Sequence, residues 1–384
     1  MNCSIKIPST LYFGQGSYTN LTSICESKQI NKVLLFTDKG IRSTGILEPI
    51  EKLLKEAKIE AVIYDDIKPE PSYQEVERIQ KDIESFKVDA IIAVGGGSVM
   101  DTAKLCSVLV NADYTIKDIL KTPLMASRKI TTIMIPTTCG TGSEATVNAI
   151  VAIPEENTKQ GIVNPELLPD YVILDPEMIR KLPKSIIAAT GVDALAHVVE
   201  CYTSNKATQL SNLYALAGAK LIFNNIRKAY LDAEDMEAKE AMMLGAFYGG
   251  VAITGSGTTA VHALSYPLGG RYHIPHGVSN AILLAQVMEF NKDACIEQLA
   301  TMCDDIYPTH INESKEEKAD YIIKEIKDIV KVTEIPTSLT DFGVKKEDLE
   351  ELVKAGSEQT RLLNNNIKKL SLDDIRLLYK TILD

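Results

Sequence analysis

Two kinds of segment alternate along the first half of the chain, and this alternation most constrains the fold. Short runs rich in valine and isoleucine, each bounded by polar or turn residues, are separated by longer charged segments with helical spacing, such as residues 72–86. The runs predicted to be buried strands are residues 32–36, 61–64, 89–94 and 130–135. Because strands that alternate with helices form βαβ units, the pattern predicts an α/β domain with a parallel sheet.

The second half has a different character. After Pro183 strand-like runs become rare, and long segments such as residues 185–202 and 207–230 show helical spacing without turn signals. A chain of 384 residues is also too long for one ordinary hydrophobic core. We therefore predict an α/β domain over residues 1–183 and an all-α domain over residues 184–384.

A glycine turn follows the third predicted strand and opens a helix, in the sequence GGGSVMDTAK at residues 95–104. Gly95, Gly96 and Gly97 let the backbone approach an anion closely, and the N–H groups of the first helical turn favour a pyrophosphate. This arrangement predicts a phosphate-binding turn in a Rossmann-like, dinucleotide-binding domain, although the glycines can also simply form a tight turn, and the motif is neither the GxGxxG fingerprint nor a Walker A loop. Ser98 and Asp101, three residues apart, contact the ligand or form a capping box for the helix.

A second polar turn, PTTCGTGSE at residues 136–144, follows the next predicted strand and should lie at the same edge of the sheet. Its hydroxyl groups suit ribose, phosphate or carboxamide, although they also satisfy turns; they belong to Thr137, Thr138, Thr141 and Ser143. Asp38 closes the first predicted strand. A carboxylate there accepts from a ribose 2′-hydroxyl and repels a 2′-phosphate, which favours NAD over NADP, unless it belongs to a surface turn.

A candidate metal site lies in the second half. Asp193 and His197 are four residues apart in a helical segment, which puts both on one face, and three of the five histidines fall within residues 262–276. A lone histidine is more often a hydrogen-bonded core or surface residue than a ligand. Together, however, one carboxylate and several imidazoles predict a site for Fe(II), Zn or Mn, with the ligands Asp193, His197, His262 and His276.

Composition narrows the class of function. A net charge of -11 argues against a nucleic-acid partner, which needs a basic surface. Seven scattered cysteines without a CxxC spacing fit a reducing compartment, and we predict a cytoplasmic location. The N-terminus lacks the pattern of an export signal, and the sequence predicts no membrane span.

At these motifs the chain resembles the iron-containing alcohol dehydrogenase family over nearly its whole length. The resemblance includes FGQG at residues 13–16, the two glycine-containing turns, GVDALAHVVE at residues 191–200 and the spaced histidines. It implies that the four residues named above hold a divalent metal, usually Fe(II), and that Gly95 to Ser98 bind pyrophosphate. It further implies that Thr137, Thr138 and Lys159 contact the cofactor, and that the active site lies in a cleft between the domains, usually of a homodimer or larger assembly.

The chain departs from the family pattern at one position. Many members have a histidine where this chain has Tyr266, which puts the proton-relay role of that histidine in doubt. Tyr266 as a hydrogen-bond donor and His273 are the candidates for the role, and both can equally be packing residues. The Tyr266 segment and residues 358–366 resemble the 4-hydroxybutyrate dehydrogenase branch of the family.

That branch suggests a substrate with a carboxylate, which a guanidinium binds through two parallel hydrogen bonds. Arg361 or Arg271 would provide it, unless both are solvated surface groups. The predicted activity is hydride transfer between NAD(H) and a small alcohol or aldehyde, such as 4-hydroxybutyrate and succinic semialdehyde. The alternatives are an enzyme resembling dehydroquinate synthase or glycerol-1-phosphate dehydrogenase, and a non-catalytic protein that binds a nucleotide or metal.

Overall fold

A computed structural model of the chain describes residues 3–156 and 158–383. Two compact units divide them: one contains Lys6–Leu182, and the other contains the chain from Pro183 onward together with the few residues ahead of Lys6. The first unit is α/β and the second is helical. The predicted fold class, a parallel-sheet α/β domain followed by an all-α domain, is confirmed.

The strands all lie in the first unit. They are β1 (Thr10–Phe13), β2 (Lys32–Phe36), β3 (Glu60–Tyr64), β4 (Ala90–Gly95), β5 (Thr131–Pro136), β6 (Asn148–Ile153), β7 (Thr158–Val163) and β8 (Tyr171–Leu174). Six of them form a sheet in the order β1-β8-β5-β4-β2-β3, in which every pair is parallel. Strands β6 and β7 pair antiparallel in a separate two-stranded sheet.

Six helices complete the α/β unit. They are α1 (Leu21–Ser27), α2 (Lys39–Ser43), α3 (Glu48–Glu56), α4 (Tyr73–Glu84), α5 (Gly97–Leu109) and α6 (Ile116–Lys121). Helix α4 begins with a capping box between Ser72 and Glu75, and buries Val76, Ile79 and Ile83 at helical spacing. Its bounds agree closely with the predicted helix over residues 72–86.

The central strand β4 is buried along its whole length. Ala90, Ile92 and Val94 point into one hydrophobic core, whereas Ile91 and Ala93 point into another on the opposite face of the sheet. A strand covered on both faces needs apolar residues at every position, and AIIAVG supplies them. The glycine turn therefore starts from a rigid strand in the middle of the sheet.

The helical unit is built from α7 (Lys184–Thr203), α8 (Gln209–Leu231), α9 (Met236–Ser256), α10 (Ala260–Tyr272), α11 (His276–Asn291), α12 (Ile296–Ile306), α13 (Lys315–Val332), α14 (Leu349–Ser357), α15 (Thr360–Leu363) and α16 (Leu372–Leu383). Helix α7 is long and apolar enough to cross a membrane by length and composition alone. However, 83% of its most apolar stretch is buried inside the protein, as in the core helix of a folded domain. This buried helix carries Asp193 and His197.

Candidate metal centre and cofactor loops

The helical unit brings together the side chains predicted to hold a metal. Asp193 and His197 lie one turn apart on α7, His262 is in the first turn of α10, and His276 is the first residue of α11. One ligand atom each from Asp193, His262 and His276 lies within 4.8 Å of the other two. His197 Nε2 is 4.0 Å from Asp193 Oδ1, and the rings of His197 and His262 stack with centroids 4.6 Å apart. We call these four residues the metal cluster.

The spacing within the metal cluster suits a shared ion. Asp193 Oδ1 is 3.7 Å from His262 Nε2 and 3.6 Å from His276 Nε2, which is too far for hydrogen bonds. Two ligands that each lie about 2.1 Å from one ion at a tetrahedral angle are about 3.4 Å apart. Asp193 is also 2% exposed, and a carboxylate buried in this way needs a positive charge nearby. The residues present therefore fit a divalent metal.

The charges of the metal cluster support the same conclusion. Burial raises the pKa of Asp193, but the positive charges of His197, His276 and His262 and a hydrogen bond from Asn280 outweigh burial, so the pKa lies below its ordinary value. Burial lowers the pKa of His262, whereas the neighbouring carboxylate of Glu200 outweighs burial and raises it. Asp193 is thus held as a carboxylate, the form in which it binds metal.

Close backbone contacts position two of the imidazoles. Gly277, next to His276, lies so near helix α7 that an added Cβ atom would overlap the carbonyl oxygen of Ala189. A Cβ atom on Gly249 of α9 would lie 3.3 Å from His197 Cβ. Small residues at these two points let α9 and the start of α11 approach α7 closely enough to form the metal cluster.

Two further residues contact the metal cluster, and neither was predicted from the sequence. Asn280 Nδ2 donates to Asp193 Oδ1 at 2.7 Å and lies 3.2 and 3.3 Å from Nε2 of His262 and His276. Glu200, which is fully buried, bonds to His262 Nδ1 through Oε2. Helical spacing offered a signal for each, because Asn280 lies four residues after His276 and Glu200 three residues after His197.

The two candidates for proton transfer differ in position. Tyr266 lies one turn after His262 on α10 and is 7% exposed, with its ring 6.2 Å from that of His276. His273 ends α10 in the left-handed conformation, with φ of 54°, and its side chain is exposed. The structure therefore brings Tyr266 beside the metal cluster, whereas His273 is a helix-terminal surface residue.

The two arginines predicted to bind substrate also differ. Arg271 pairs with Glu351. Arg361 lies on α15, and its charge reaches His262, whose pKa it lowers against the larger effect of Glu200. Among residues 3–156 and 158–383, the Arg361 side chain has no hydrogen-bond or ion-pair partner. Arg361 is exposed, has no such partner and acts electrostatically on His262 of the metal cluster, whereas the guanidinium of Arg271 is committed to Glu351.

In the α/β unit, α5 begins directly after the glycine turn, with Gly96 at the N-cap and no side-chain cap. The capping box considered for Ser98 and Asp101 is therefore wrong.

A Cβ atom on Gly97 would come 2.8 Å from Thr141 Cγ2, so this glycine lets the second polar turn pack against the first. The hydroxyl of Thr137 is buried and has no hydrogen-bond partner among the described residues. The Thr137 hydroxyl and the N–H groups of the first turn of α5 are polar groups of the kind that could bind a dinucleotide.

Other predicted cofactor residues have partners within the protein. Ser143 Oγ donates to one oxygen of Asp101, and the backbone N–H of Ile150 donates to the other at 2.9 Å. Ser98 Oγ accepts from the backbone of Glu70, whose side chain pairs with Lys159. These bonds connect the two turns and the β6–β7 hairpin. Asp101 and Ser143 therefore stabilise the conformation of the two turns through bonds within the protein.

Asp38 lies two residues after β2 and caps α2, because its Oδ1 accepts from the backbone N–H of Ile41 at 2.8 Å. It also forms an isolated bridge with Asp66. The carboxylate therefore has a structural partner, and its selection of NAD over NADP stays a prediction.

Glu144, at the end of the second polar turn, gives a prediction about pH. Burial raises its pKa from 4.5 to about 7, although attraction to Lys104 opposes the rise. The unfolded chain releases this proton at lower pH, so stability is lost as the pH rises from 4.5 through 7. We expect the unaltered protein to lose about 2.5 kcal/mol of stability between pH 5 and 8 through this group, and Glu144→Gln to remove that loss. Chemical unfolding at both pH values measures it, with the exposed Glu156→Gln as control, and equal pH dependence in both variants would contradict it.

An α/β unit with anion-binding turns and a helical unit with an Asp-and-His cluster define a class, the metal-dependent oxidoreductases that use a dinucleotide. The iron-containing alcohol dehydrogenase model matches residues 8–176, and the C-terminal model of the Fe-containing alcohol dehydrogenase family matches residues 187–383. The long-chain-alcohol dehydrogenase 1 of Geobacillus thermodenitrificans is 34% identical over 98% of this chain and 95% of its own length.

Solved structures agree with the family models. A 1,3-propanediol oxidoreductase superposes with a TM-score of 0.94 at 28% identity, covering 100% of both chains. The sulfoacetaldehyde reductase of Bifidobacterium kashiwanohense, solved with NAD+, superposes at 0.90 with 26% identity over 100% of this chain and 99% of that one. The chain belongs to the iron-containing alcohol dehydrogenase family and is an oxidoreductase of that family. The predicted cofactors are confirmed at this level: iron, for which the family is named, and NAD.

Proposed function

We propose that the protein transfers hydride between NAD(H) and a small alcohol or aldehyde whose far end carries a negative charge, such as the pair of 4-hydroxybutyrate and succinic semialdehyde. The observation that carries the proposal is the uncommitted guanidinium of Arg361 near the metal cluster. The related sulfoacetaldehyde reductase acts, by its name, on an aldehyde with an anionic group.

The metal cluster is proposed as the place where the reacting oxygen is held. A divalent ion there supplies a Lewis acid that polarises this oxygen, and a bound nicotinamide supplies or accepts the hydride. Asp193, held as a carboxylate, would bind the ion together with His262 and His276, and His197, 4.0 Å from Asp193, would be the fourth ligand. Fe(II) is the metal proposed, with Zn or Mn as alternatives for the same donor set.

Residues around the metal cluster would position the substrate. Tyr266 is proposed as a hydrogen-bond donor to the substrate, because it lies beside His276 at the position where many relatives have a histidine. Leu362 packs with Tyr266 and Ala263 in one hydrophobic core. This packing fixes α15, and with it Arg361, against the helix that carries His262. A carboxylate held by Arg361 would therefore keep a fixed relation to the metal cluster.

In the α/β unit, the start of α5 and the second polar turn are proposed to bind NAD. The first-turn N–H groups would face the pyrophosphate, and Thr137 and Thr138 would donate to it or to the ribose. Asp38 is proposed to favour NAD by repelling a 2′-phosphate, with NADP as the weaker cofactor.

The anionic-substrate proposal predicts a selective effect of Arg361→Met. We expect kcat/KM for succinic semialdehyde to fall about 30-fold, which corresponds to about 2 kcal/mol for a lost charge-assisted contact, while that for butanal changes little. Steady-state rates of NADH oxidation with both aldehydes measure the effect.

Arg271→Met provides the matched control, because that guanidinium is already paired with Glu351. It should leave both rates close to those of the unaltered enzyme. If butanal were the better substrate of the unaltered enzyme, or if Arg361→Met reduced both rates equally, the anionic-substrate proposal would be wrong and the family assignment would stand.

A further inference from the structure

Glu200 occupies an unusual position for a carboxylate. It lies on α7 seven residues after Asp193, on the same face of the helix, and its side chain is fully buried. Burying a charged carboxylate is costly unless hydrogen bonds satisfy it. Its bonds therefore show what the carboxylate does.

One oxygen of Glu200 is saturated by donors from the start of α10. Oε1 accepts from the backbone N–H of Thr259 at 3.1 Å, the hydroxyl of Thr259 at 2.6 Å and the backbone N–H of Val261 at 2.7 Å. Three donors fix the plane of the carboxylate. The other oxygen, Oε2, is directed at His262 Nδ1.

This contact determines where His262 carries its proton. A carboxylate oxygen only accepts hydrogen bonds, so Nδ1 must be the N–H that donates. In the neutral ring, the form that binds metal, the lone pair is then on Nε2, the nitrogen that lies 3.7 Å from Asp193 Oδ1 inside the metal cluster. A ring held with its lone pair in this direction is ready to bind a metal.

We propose that Glu200 is a positioning residue that fixes the tautomer and orientation of His262 for metal binding. The inference rests on the proposed metal site. Both oxygens of Glu200 are committed to Thr259, Val261 and His262, so Glu200 would act on a metal only through His262 Nδ1.

The geometry makes Glu200→Gln a sharp test, since the substitution keeps the shape of the side chain. The three donors of Thr259 and Val261 need an acceptor, so the amide oxygen must replace Oε1 and the NH2 group must face His262. Nδ1 then has to accept, and the proton moves to Nε2, the nitrogen required by the metal. We expect at least a 10-fold weaker metal affinity with the fold retained.

Two measurements test the proposal on the complete protein. The first is nitrogen-15 NMR of the metal-free protein at alkaline pH, in which the long-range couplings of a histidine ring show which nitrogen carries the proton. The chain has five histidines, so a His262→Asn spectrum assigns the signal. We expect Nδ1–H in the unaltered protein and Nε2–H in Glu200→Gln. An Nε2–H tautomer in the unaltered protein would overturn the proposal whether or not metal binds.

The second measurement is the affinity for Co(II), by competition with a chromophoric chelator, together with the visible absorption of the bound ion. Thr259→Val is the control, because it removes one donor to Oε1 and keeps the contact between Glu200 and His262. We expect Glu200→Gln to weaken Co(II) binding at least 10-fold and the control to weaken it less than threefold. Equal affinity and spectra for Glu200→Gln and the unaltered protein would overturn the proposal. If the unaltered protein itself bound no Co(II), the proposed metal site would fail, and the NMR result would still decide the role of Glu200.

Discussion

Replacing Gly277 by alanine is expected to disrupt the metal cluster without touching a ligand. An added Cβ atom would overlap the carbonyl oxygen of Ala189, which lies one turn before Asp193 on α7. A side-chain rotation cannot relieve this overlap, because the carbonyl oxygen of Ala189 belongs to the backbone of α7. The start of α11 must therefore move by roughly 1 Å, and His276 moves with it.

We expect Gly277→Ala to destabilise the metal-free protein by about 3 kcal/mol and to weaken metal binding at least 10-fold. Thermal unfolding and chelator competition measure the two effects. Val278→Ala, one residue later in the same turn, is the control and should change both far less. Full stability and metal affinity in Gly277→Ala would show that the close approach of α11 to α7 does not form the site.

His276→Ala is expected to have the largest effect on the metal. It removes one of the four proposed ligands, and its side chain is 31% exposed, so the fold should tolerate the change better than a change at the more deeply buried His262. We expect metal affinity to fall more than about 100-fold, with an unfolding temperature of the metal-free protein close to that of the unaltered chain.

His273→Ala is the matched control, since this histidine lies three residues earlier, exposed at the end of α10. Its replacement should leave the metal in place. If it abolished turnover while the metal remained bound, the proton-relay role predicted for His273 would be supported; unchanged turnover would leave Tyr266 as the candidate.

The parts of the fold that could be predicted from the sequence are those with one dominant pattern. Strands β2, β4 and β5 are almost wholly buried and β3 is partly buried, and each contains a short run of apolar residues that the sequence shows directly. Strands β1 and β8, with four residues each, were not predicted, although YVIL of β8 is as apolar as the predicted run at residues 61–64. The β6–β7 hairpin was also missed, although β6 alternates buried and partly buried residues.

The metal cluster was predictable because the residue types are rare and the spacing is local on α7 and within residues 262–276. The contacts that support the metal cluster could not be predicted, because they depend on which helices pack against one another. Glu200 gains its role from donors at the start of α10, and the place of Asn280 depends on how α11 packs against α7. Arg361 and Arg271 could not be distinguished from the sequence either. The difference between them is that Arg271 pairs with Glu351, a contact that only the folded structure shows.

Hydride transfer is proposed to need an ion held by the metal cluster. The most direct measurement strips the unaltered enzyme of metal under anaerobic conditions, titrates it with Fe(II), and follows bound iron and NADH-dependent reduction of succinic semialdehyde in the same samples, with His276→Ala in parallel. We predict that activity rises in proportion to bound iron up to about one ion per chain, and that His276→Ala gains neither iron nor activity. Full activity in the metal-free enzyme, or iron and activity restored equally in His276→Ala, would contradict the account.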